Sequence, residues 1–563
     1  MHHPDSEPRA SLYYDYKIYP FRRSPEQNGE HVRHPVAIVG AGPVGLVTAL
    51  DLARYGIPSV LIEAGVQVSQ GSRAIVFTRR SMEILQQVGV ADKMMEKALP
   101  WRCGNSIYRG KRVFRMEAPY DPDDRFLPMN NLQQQYLEQY LVEAVEAEPL
   151  IDLRWGTAFT HVENSADGVC LTLDTPEGEY QLEADWLVAA DGAKSQVRSQ
   201  LGERMEGASY KGSFVIADIR IDLDLPTERL AFFDPEWNPG NTILMHREPE
   251  GIWRLDYQLP PGETEEEALS EASLTQRINA QLKMIGVDAK WEMDWCSVYT
   301  ARAMTLTDYR ADRVLFTGDA AHMLPIFGVR GANTGWQDCH NMAWKLAFVL
   351  KGWASEKLLQ SYSDERVTAA WEIIEEAGRS TRFMTPPNRG YRLLRDATLS
   401  LSLTQPFVGP LFHWRTSRAH DYLHSRLNYT HDDESRFTAG PLRGAPLQNI
   451  CLGENDYLFD HLDASIYLLY FSSDASLPPA MQMLEEAVQR SGVPFEIIQI
   501  CPEAISAEDR RVIYDRDGHM ARRYGAGEGS GYLVRPDQHI SARWLEVDSG
   551  ELLSALKTLI DVV

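Results

Sequence analysis

No run of about 18 apolar residues occurs in this 563-residue chain, so no membrane-spanning helix is expected. The N-terminus lacks a charged region followed by an apolar one, so no secretory signal is read and the cytoplasm is the expected compartment. Cysteine is sparse and scattered. Cys103, Cys170, Cys296, Cys339, Cys451 and Cys501 form no CxxC pair and no Cys/His cluster at zinc-ligand spacing, so a metal site is not expected and free, buried thiols are. Positive charge is in deficit: 56 Lys and Arg stand against 80 Asp and Glu, a formal net charge of −24. That balance opposes docking on nucleic acid or anionic lipid, and neither is expected as a partner. Internal repeats and low-complexity tracts are also missing.

What is present is the composition of a folded protein, with 44% hydrophobic and 24% charged residues, in a chain long enough for two or three cores. Residues 1–34 are polar and spotted with Tyr13, Tyr14, Tyr16, Tyr19 and Phe21, too irregular for a helix or strand, and are read as an extended arm. From Pro35 an apolar run ends at Gly40. A helix pattern follows to Tyr55 with Gly56 as its stop, then a second apolar run at Val60–Ile62. Between about 205 and 300 the pattern alternates: Trp253, Leu255, Tyr257 and Leu259 fall on one side of a strand, and Arg254, Asp256 and Gln258 on the other. This predicts a half-buried antiparallel sheet. After the strand Val314–Phe316, helical periodicity runs from about Trp336 through Glu375.

These shifts divide the chain into an arm (1–34), a discontinuous first unit (35–204 and 301–385), a sheet unit inserted into it (205–300), a connecting helical segment (386–445) and a final unit (446–563). Within the last, strands are predicted at Ser465–Phe471, Phe495–Ile500, Tyr532–Val534 and Ile540–Trp544. Helices are predicted at Ala480–Ser491, at His519–Tyr524 and, after the strand that ends at Trp544, as a final helix to Val563.

Gly40-Ala41-Gly42-Pro43-Val44-Gly45 is a GxGxxG placed between a strand and a helix, and Glu63 ends the next strand 18 residues after Gly45. The context is that of a dinucleotide fold. Gly40 allows the tight turn, Gly42 lets backbone approach a pyrophosphate, Gly45 permits close helix–sheet packing, and the helix N-terminus offers N–H groups to the phosphates. Glu63 would accept hydrogen bonds from a ribose. Two further motifs end apolar strands: Asp191-Gly192-Ala193-Lys194-Ser195-Gln196-Val197-Arg198, and Gly318-Asp319-Ala320-Ala321-His322 followed by Pro325, Phe327, Gly328, Gly331, Asn333 and Gly335.

Together, in this order and spacing, the three motifs resemble those of the group A flavoprotein monooxygenases, the single-component family of p-hydroxybenzoate hydroxylase and phenol hydroxylase. The likeness extends over about residues 35–375, and residues 446–563 resemble the thioredoxin-like C-terminal domain of the phenol hydroxylase branch. It implies an α/β fold: a Rossmann-like FAD-binding domain with an inserted mixed or antiparallel β-sheet substrate domain and a thioredoxin-like C-terminal domain. It also implies FAD as cofactor, NADPH or NADH as co-substrate, and O2, with hydroxylation of a small phenolic or electron-rich ring through a flavin hydroperoxide. A homodimer is left open. By the same resemblance Asp319 accepts hydrogen bonds from the ribityl hydroxyls, and the N–H groups of Gly331, Ala332 and Asn333 face the flavin N1/O2 edge, where they would stabilise negative charge. Arg73 and Gln134 match a flavin-side arginine and glutamine, with Gln133 and Gln135 as alternatives for the latter. Asp191 and Arg198 belong to a motif used for both nucleotides. The glycines at 525, 527, 529 and 531 supply no second dinucleotide motif and read as a turn.

The family often has a second proline after Pro325, where this chain has Ile326, so substrate placement cannot be copied from p-hydroxybenzoate hydroxylase. Arg330 stands where glutamine is common; it either attracts an anionic substrate or reduced flavin, or is simply ion-paired. His246, Tyr257, Tyr299 and Arg302 are candidates for a phenol base, ordinary sheet packing is the alternative for each, and no catalytic residue is assigned. Other oxygenations on the same scaffold, such as epoxidation, Baeyer–Villiger insertion or a tailoring hydroxylation, stay open, as does a non-catalytic FAD-binding role. Without CxxC the C-terminal domain cannot run dithiol exchange, so packing, dimer contacts or shielding of the active site are expected of it.

Overall fold

A computed structural model describes residues 7–560 apart from 72, 261, 326, 413–417, 431, 475 and 503–510. Ile326 therefore lies outside the described residues. Among the described residues no helix is long and apolar enough to cross a membrane.

The first sheet runs, from one edge, Arg310–Ala311, Val314–Phe316, Tyr180–Ala189, Arg33–Val39, Ser59–Ile62, Ile151–Arg154. From Val314–Phe316 to Ile151–Arg154 all pairings are parallel. Strands of a parallel sheet covered on both faces read as continuous apolar runs. Val36–Val39, Val60–Ile62 and Leu187–Ala189 are all buried here. The helix Pro43–Arg54 follows the first strand, with Pro43 at its first turn where a missing N–H costs nothing.

The second sheet is mixed and eight-stranded: His322–Met323, Glu292–Thr305, Glu206–Arg220, Ile252–Gln258, Thr242–Arg247, Arg229–Phe233, Cys103–Tyr108, Lys111–Glu117. Its last two strands come from the stretch between the first two motifs, and Arg229–Phe233 pairs with Cys103–Tyr108 in parallel. One face carries Val215, Ala217, Ile219, Trp253, Leu255 and Tyr257 beneath Leu274, Ile278 and Leu282 of the helix Glu271–Met284. The opposite face carries Asp218, His246 and Arg254, which are also buried. The alternation was read correctly, but the sheet is covered on both sides, so its polar side faces protein rather than solvent.

The long helical stretch is two helices, Gly331–Leu350 and Lys357–Met384. Gly352, at φ 72°, provides the left-handed stop that an L side chain would resist. In the C-terminal unit five strands lie in the order Val512–Tyr514, Phe495–Cys501, Ile466–Phe471, Gly531–Val534, Ile540–Trp544. Gly525 caps the helix His519–Tyr524 in the left-handed region, so the glycine cluster begins as a helix stop.

This unit is tied to the first by a buried ionic network. Glu365 accepts from Lys345 at 2.7 Å and from both terminal nitrogens of Arg535 at 2.7 and 2.9 Å, while Arg535 also holds Asp537 at 2.6 Å. Burial alone would raise the Glu365 carboxyl, but Arg535 and Lys345 hold it below the usual range. Replacing Glu365 with Ala leaves two buried cations without their shared anion. The expected cost is about 3–5 kcal/mol, read as a lower midpoint of urea unfolding; an unchanged midpoint would contradict this account.

Candidate functional site

The three motif loops leave the same edge of the first sheet. Gly40 N–H donates to Ile62 O at 2.8 Å, Ala190 N–H to Val39 O at 2.9 Å, and Thr317 N–H to Ala189 O at 3.1 Å. Each bond stitches the carboxyl end of one strand to its neighbour. Gly40, Asp191 and Gly318–Asp319 thus emerge side by side where open α/β sheets hold ligands.

The three glycines of the first motif differ in what surrounds them. A Cβ on Gly40 would lie 2.5 Å from Ala190 O, and one on Gly45 would lie 1.9 Å from Gly40 O, whereas a Cβ on Gly42 would meet nothing within 4 Å. The turn is closed on the protein side and open on the other. Among the described residues the N–H groups of Val44 and Gly45 find no acceptor, leaving a helix N-terminus free for an anion. Glu63 accepts from Ala41 N–H at 2.9 Å and Gly65 N–H at 2.8 Å, which fixes its carboxylate at the mouth of the turn.

Asp319 projects from the third loop. It is exposed, and among the described residues nothing donates a hydrogen bond to its carboxylate. The crowding of the cleft raises its carboxyl above the ordinary range, against the pull of His322, Arg73 and Arg198. Asp191 accepts from Val197 N–H at 3.1 Å, while its Oδ1 is buried without a partner; burial raises this carboxyl too. Arg198 joins the second and third loops, donating to Ala193 O at 2.8 Å and Ala320 O at 2.9 Å.

Pro325 and Gly328 are buried in the loop that leads into the helix Gly331–Leu350. Gly328 and Val329 have φ of 102° and 63°, and for a β-branched residue the latter is strained. Val329 is held there by packing against Ile75, Val76, Trp101 and Met129, and by accepting from Asn333 Nδ2 at 3.1 Å. Among the described residues the N–H groups of Gly331, Ala332 and Asn333 have no acceptor. The Asn333 side chain is spent on structure, accepting from Thr78 N–H at 2.9 Å and Ser81 Oγ at 2.6 Å. Arg330 is buried and pairs with Glu376 at 3.6 Å, the ion-paired alternative.

Arg73 is exposed on a loop that Gln134 anchors: its Oε1 accepts from Ala74 N–H at 2.8 Å and its Nε2 donates to Glu138 at 2.7 Å. Gln133 donates to Pro249 O and Gln135 to Tyr13 Oη, so all three glutamines are engaged. The N-terminal arm braces the same loop. Tyr16 Oη accepts from Gly71 N–H at 3.0 Å, and Ser11 donates to Asp294 of the second sheet at 2.8 Å.

The polar face of the second sheet closes the cleft. Arg254 binds both oxygens of Asp218 at 2.7 Å and donates to Arg73 O at 3.2 Å. On the other side Phe214 meets Phe327 edge to face at 5.3 Å. Between them stands Asp256, half-buried, a group that sequence patterning had marked only as a polar-side residue. Of the four base candidates, Tyr257 belongs to the apolar core on the far face, and Arg302 is exposed, with Met323 Sδ at 3.7 Å. His246 is buried, and burial followed by Arg229 and Arg254 pushes its imidazole well below the usual range. Tyr299 lies on the cleft face; burial and then Asp319 raise its phenol.

The donors fit FAD: an open glycine turn at a helix N-terminus for a pyrophosphate, an unbonded exposed carboxylate for a polyol, and a second fan of free N–H groups for an electron-rich ring edge. Such a fold and site define a flavoprotein of the dinucleotide-binding type. The FAD binding domain family matches residues 33–377, and the chain belongs to it. Over 533 residues the chain is 26% identical to the 3-(3-hydroxy-phenyl)propionate/3-hydroxycinnamic acid hydroxylase of Escherichia coli (strain K12), covering 93% of this chain and 94% of that protein. The protein of the same name from Klebsiella pneumoniae (strain 342) is 32% identical over 363 residues, 64% of each chain. Among solved structures, the flavin-dependent monooxygenase PieE in complex with FAD and substrate shares the fold, with a TM-score of 0.77 at 24% identity over 94% of this chain and 98% of that one. The p-nitrophenol 4-monooxygenase PnpA from Pseudomonas putida DLL-E4 gives 0.57 at 25% identity over 68% and 99%. The protein is an FAD-dependent monooxygenase.

The glycine geometry separates two variants. Gly42→Ala should fold with an unchanged melting temperature in the absence of FAD yet lose most of its bound flavin, measured as the flavin-to-protein absorbance ratio. Gly45→Ala should fail to accumulate as folded protein. Full flavin occupancy in Gly42→Ala would remove the pyrophosphate from this turn.

Proposed function

We propose that the protein is a single-component hydroxylase that uses NADH or NADPH and O2 to place a hydroxyl group on a phenolic or other electron-rich aromatic ring. The observation that carries this reading is the meeting of the three motif loops at one sheet edge, directly under the polar face of the second sheet. The hydroxylases of aromatic acids among the relatives support the substrate class.

When bound, FAD supplies the electron transfer and oxygen activation that no side chain can. Gly40, Gly42, Pro43, Val44 and Gly45 would cradle its pyrophosphate, with Glu63 on the ribose and Asp319 on the ribityl chain. Gly331, Ala332 and Asn333 would aim N–H dipoles at the flavin ring, with Pro325 and Gly328 shaping the loop beside it. Aimed in advance, such dipoles stabilise developing charge without reorganisation. Arg73 and Gln134 would flank the flavin from the braced loop, and Asp191 would orient the second motif for both nucleotides. The chain's own contribution is then to bind, to orient, and to keep water from the reacting centre.

In this reading the units are 35–204 with 301–385 for the flavin, 205–300 for the substrate, 386–445 as a connection and 446–563 as a thioredoxin-like domain that packs rather than reacts. NADH and NADPH oxidation by the purified yellow protein, with and without a panel of phenols and hydroxybenzoates, tests the function. A phenol that speeds oxidation and gains one hydroxyl group, with little hydrogen peroxide, is the expected result. Bound FAD with no response to any phenol would overturn it.

A further inference from the structure

Asp256 stands near the centre of the second sheet on the face turned to the motif loops. Its cross-strand neighbours on that face are Ile216 and Leu244, both apolar. The next row along the strands, Asp218, Arg254 and His246, is fully buried and Asp218 is paired. Asp256 by contrast is half-buried, and its Oδ1 has no hydrogen-bond partner. That oxygen is itself buried, and a carboxylate oxygen left without a donor is costly; a ligand hydroxyl that reaches the half-buried side chain would lessen the cost.

The opening does not stop at Asp256. Ile216 and Ser297, its successive cross-strand neighbours, are also half-buried, as is Tyr299 two residues along the same face. Tyr299 is close enough to Asp319 for the latter's charge to raise its phenol. An accessible strip therefore leads from the third motif loop across the sheet to Asp256. Phe214 with Phe327 walls it on one side, and Arg254 with the backbone of Arg73 on the other.

The charged groups around Asp256 are Arg254 on its own strand, Asp218 on the neighbouring strand, Arg229 on the next strand but one, His246 beside Arg254, and Glu248 beyond it. Burial, with Asp218 adding to it, raises the Asp256 carboxyl to about 7 against the pull of Arg254 and Arg229. The group thus exchanges its proton in the neutral range, where an acid–base partner is most effective.

We propose that Asp256 accepts the proton of the substrate's ring hydroxyl, and that the strip Asp256, Ile216 and Ser297 receives an uncharged phenol rather than an anionic group. This rests on the hydroxylase reading above. The phenolic O–H bond breaks, an O–H bond forms on the Asp256 carboxylate, and the electron pair stays on the ring oxygen. No electron changes hands. The resulting phenolate enriches the ring carbons that an electrophilic oxygen attacks.

The test uses the FAD-loaded full chain and its Asp256→Asn and Asp256→Glu variants, with flavin content measured for each. 4-Nitrophenol, whose ionised form absorbs visible light, is the probe, followed by difference spectra across a pH series that spans about pH 7, since below it Asp256 is itself protonated and cannot take the proton. The wild-type protein is expected to bind the probe and ionise it, Asp256→Asn to leave it neutral, and Asp256→Glu to restore part of the ionisation. Absence of probe binding to wild type, or equal ionisation by Asp256→Asn, would overturn the proposal. In turnover, kcat/KM for a neutral phenol should fall about 100-fold in Asp256→Asn, and the rise of wild-type activity through about pH 7 should disappear. A phenol already ionised at the assay pH should lose far less; an equal loss with both would mean a merely structural role. If wild type hydroxylates no phenol yet ionises the probe through Asp256, the hydroxylase reading fails and the proton assignment stands.

Discussion

Asp338, buried on the helix Gly331–Leu350, receives three bonds from two separate segments: the Gly318 N–H at 3.1 Å and His322 Nε2 at 2.6 Å from the third motif, and Arg366 Nε at 2.6 Å from the helix Lys357–Met384. Burial would raise this carboxyl, but His322 and Arg366 hold it below its ordinary range, so it stays an anion in the core. Its position sets the rest of the cleft. Because the Gly318–Asp319 turn is bound to the helix that begins at Gly331, the carboxylate of Asp319 and the free N–H groups of that helix keep a constant separation. Arg366 extends the tie to Tyr422 Oη at 2.9 Å and Thr334 O at 3.3 Å, carrying it into the connecting segment.

The opposite wall is held by different means. The Arg73 loop is clamped from outside by Gln134, by Tyr16 of the arm and by the ring of Trp295, against which a Cβ on Gly71 would clash at 2.2 Å. One side of the cleft is set by buried ion pairs, the other by hydrogen bonds from a segment remote in sequence. Desolvated charge is unforgiving when one partner is lost. A strap of neutral hydrogen bonds yields more easily, so the Arg73 side is the softer of the two.

Much of this architecture was legible in the residues. The strands of the first sheet announced themselves because parallel strands covered on both faces need apolar side chains throughout. The strand Ile540–Trp544 and the helix His519–Tyr524 fell where their patterns end. The strands Cys103–Tyr108 and Lys111–Glu117 were not foreseen. The first is buried without alternation and the second carries Lys111, Arg112, Arg115 and Glu117, so neither has a period-2 signature, and the strand through which the pair joins the sheet, Arg229–Phe233, lies more than a hundred residues away. Asp256 was hidden for another reason. Alternation separated it from Trp253, Leu255 and Tyr257 but could not tell a face turned to water from one turned to a cleft. Tyr257 attracted notice for its chemistry, yet the same alternation puts it on the apolar side.

The long-range pairing of Arg229–Phe233 with Cys103–Tyr108 has a consequence for how the chain is made. Pairings of high sequence separation form late, because loop closure must precede any gain from contact. The first sheet in turn lacks Val314–Phe316 until the insertion between them has been synthesised. Neither sheet can be completed on the ribosome before more than half of the chain has emerged. During that interval the unpaired edges of Tyr180–Ala189 and Cys103–Tyr108 are exposed together, the state in which nascent chains of this size are most open to aggregation and to capture by chaperones.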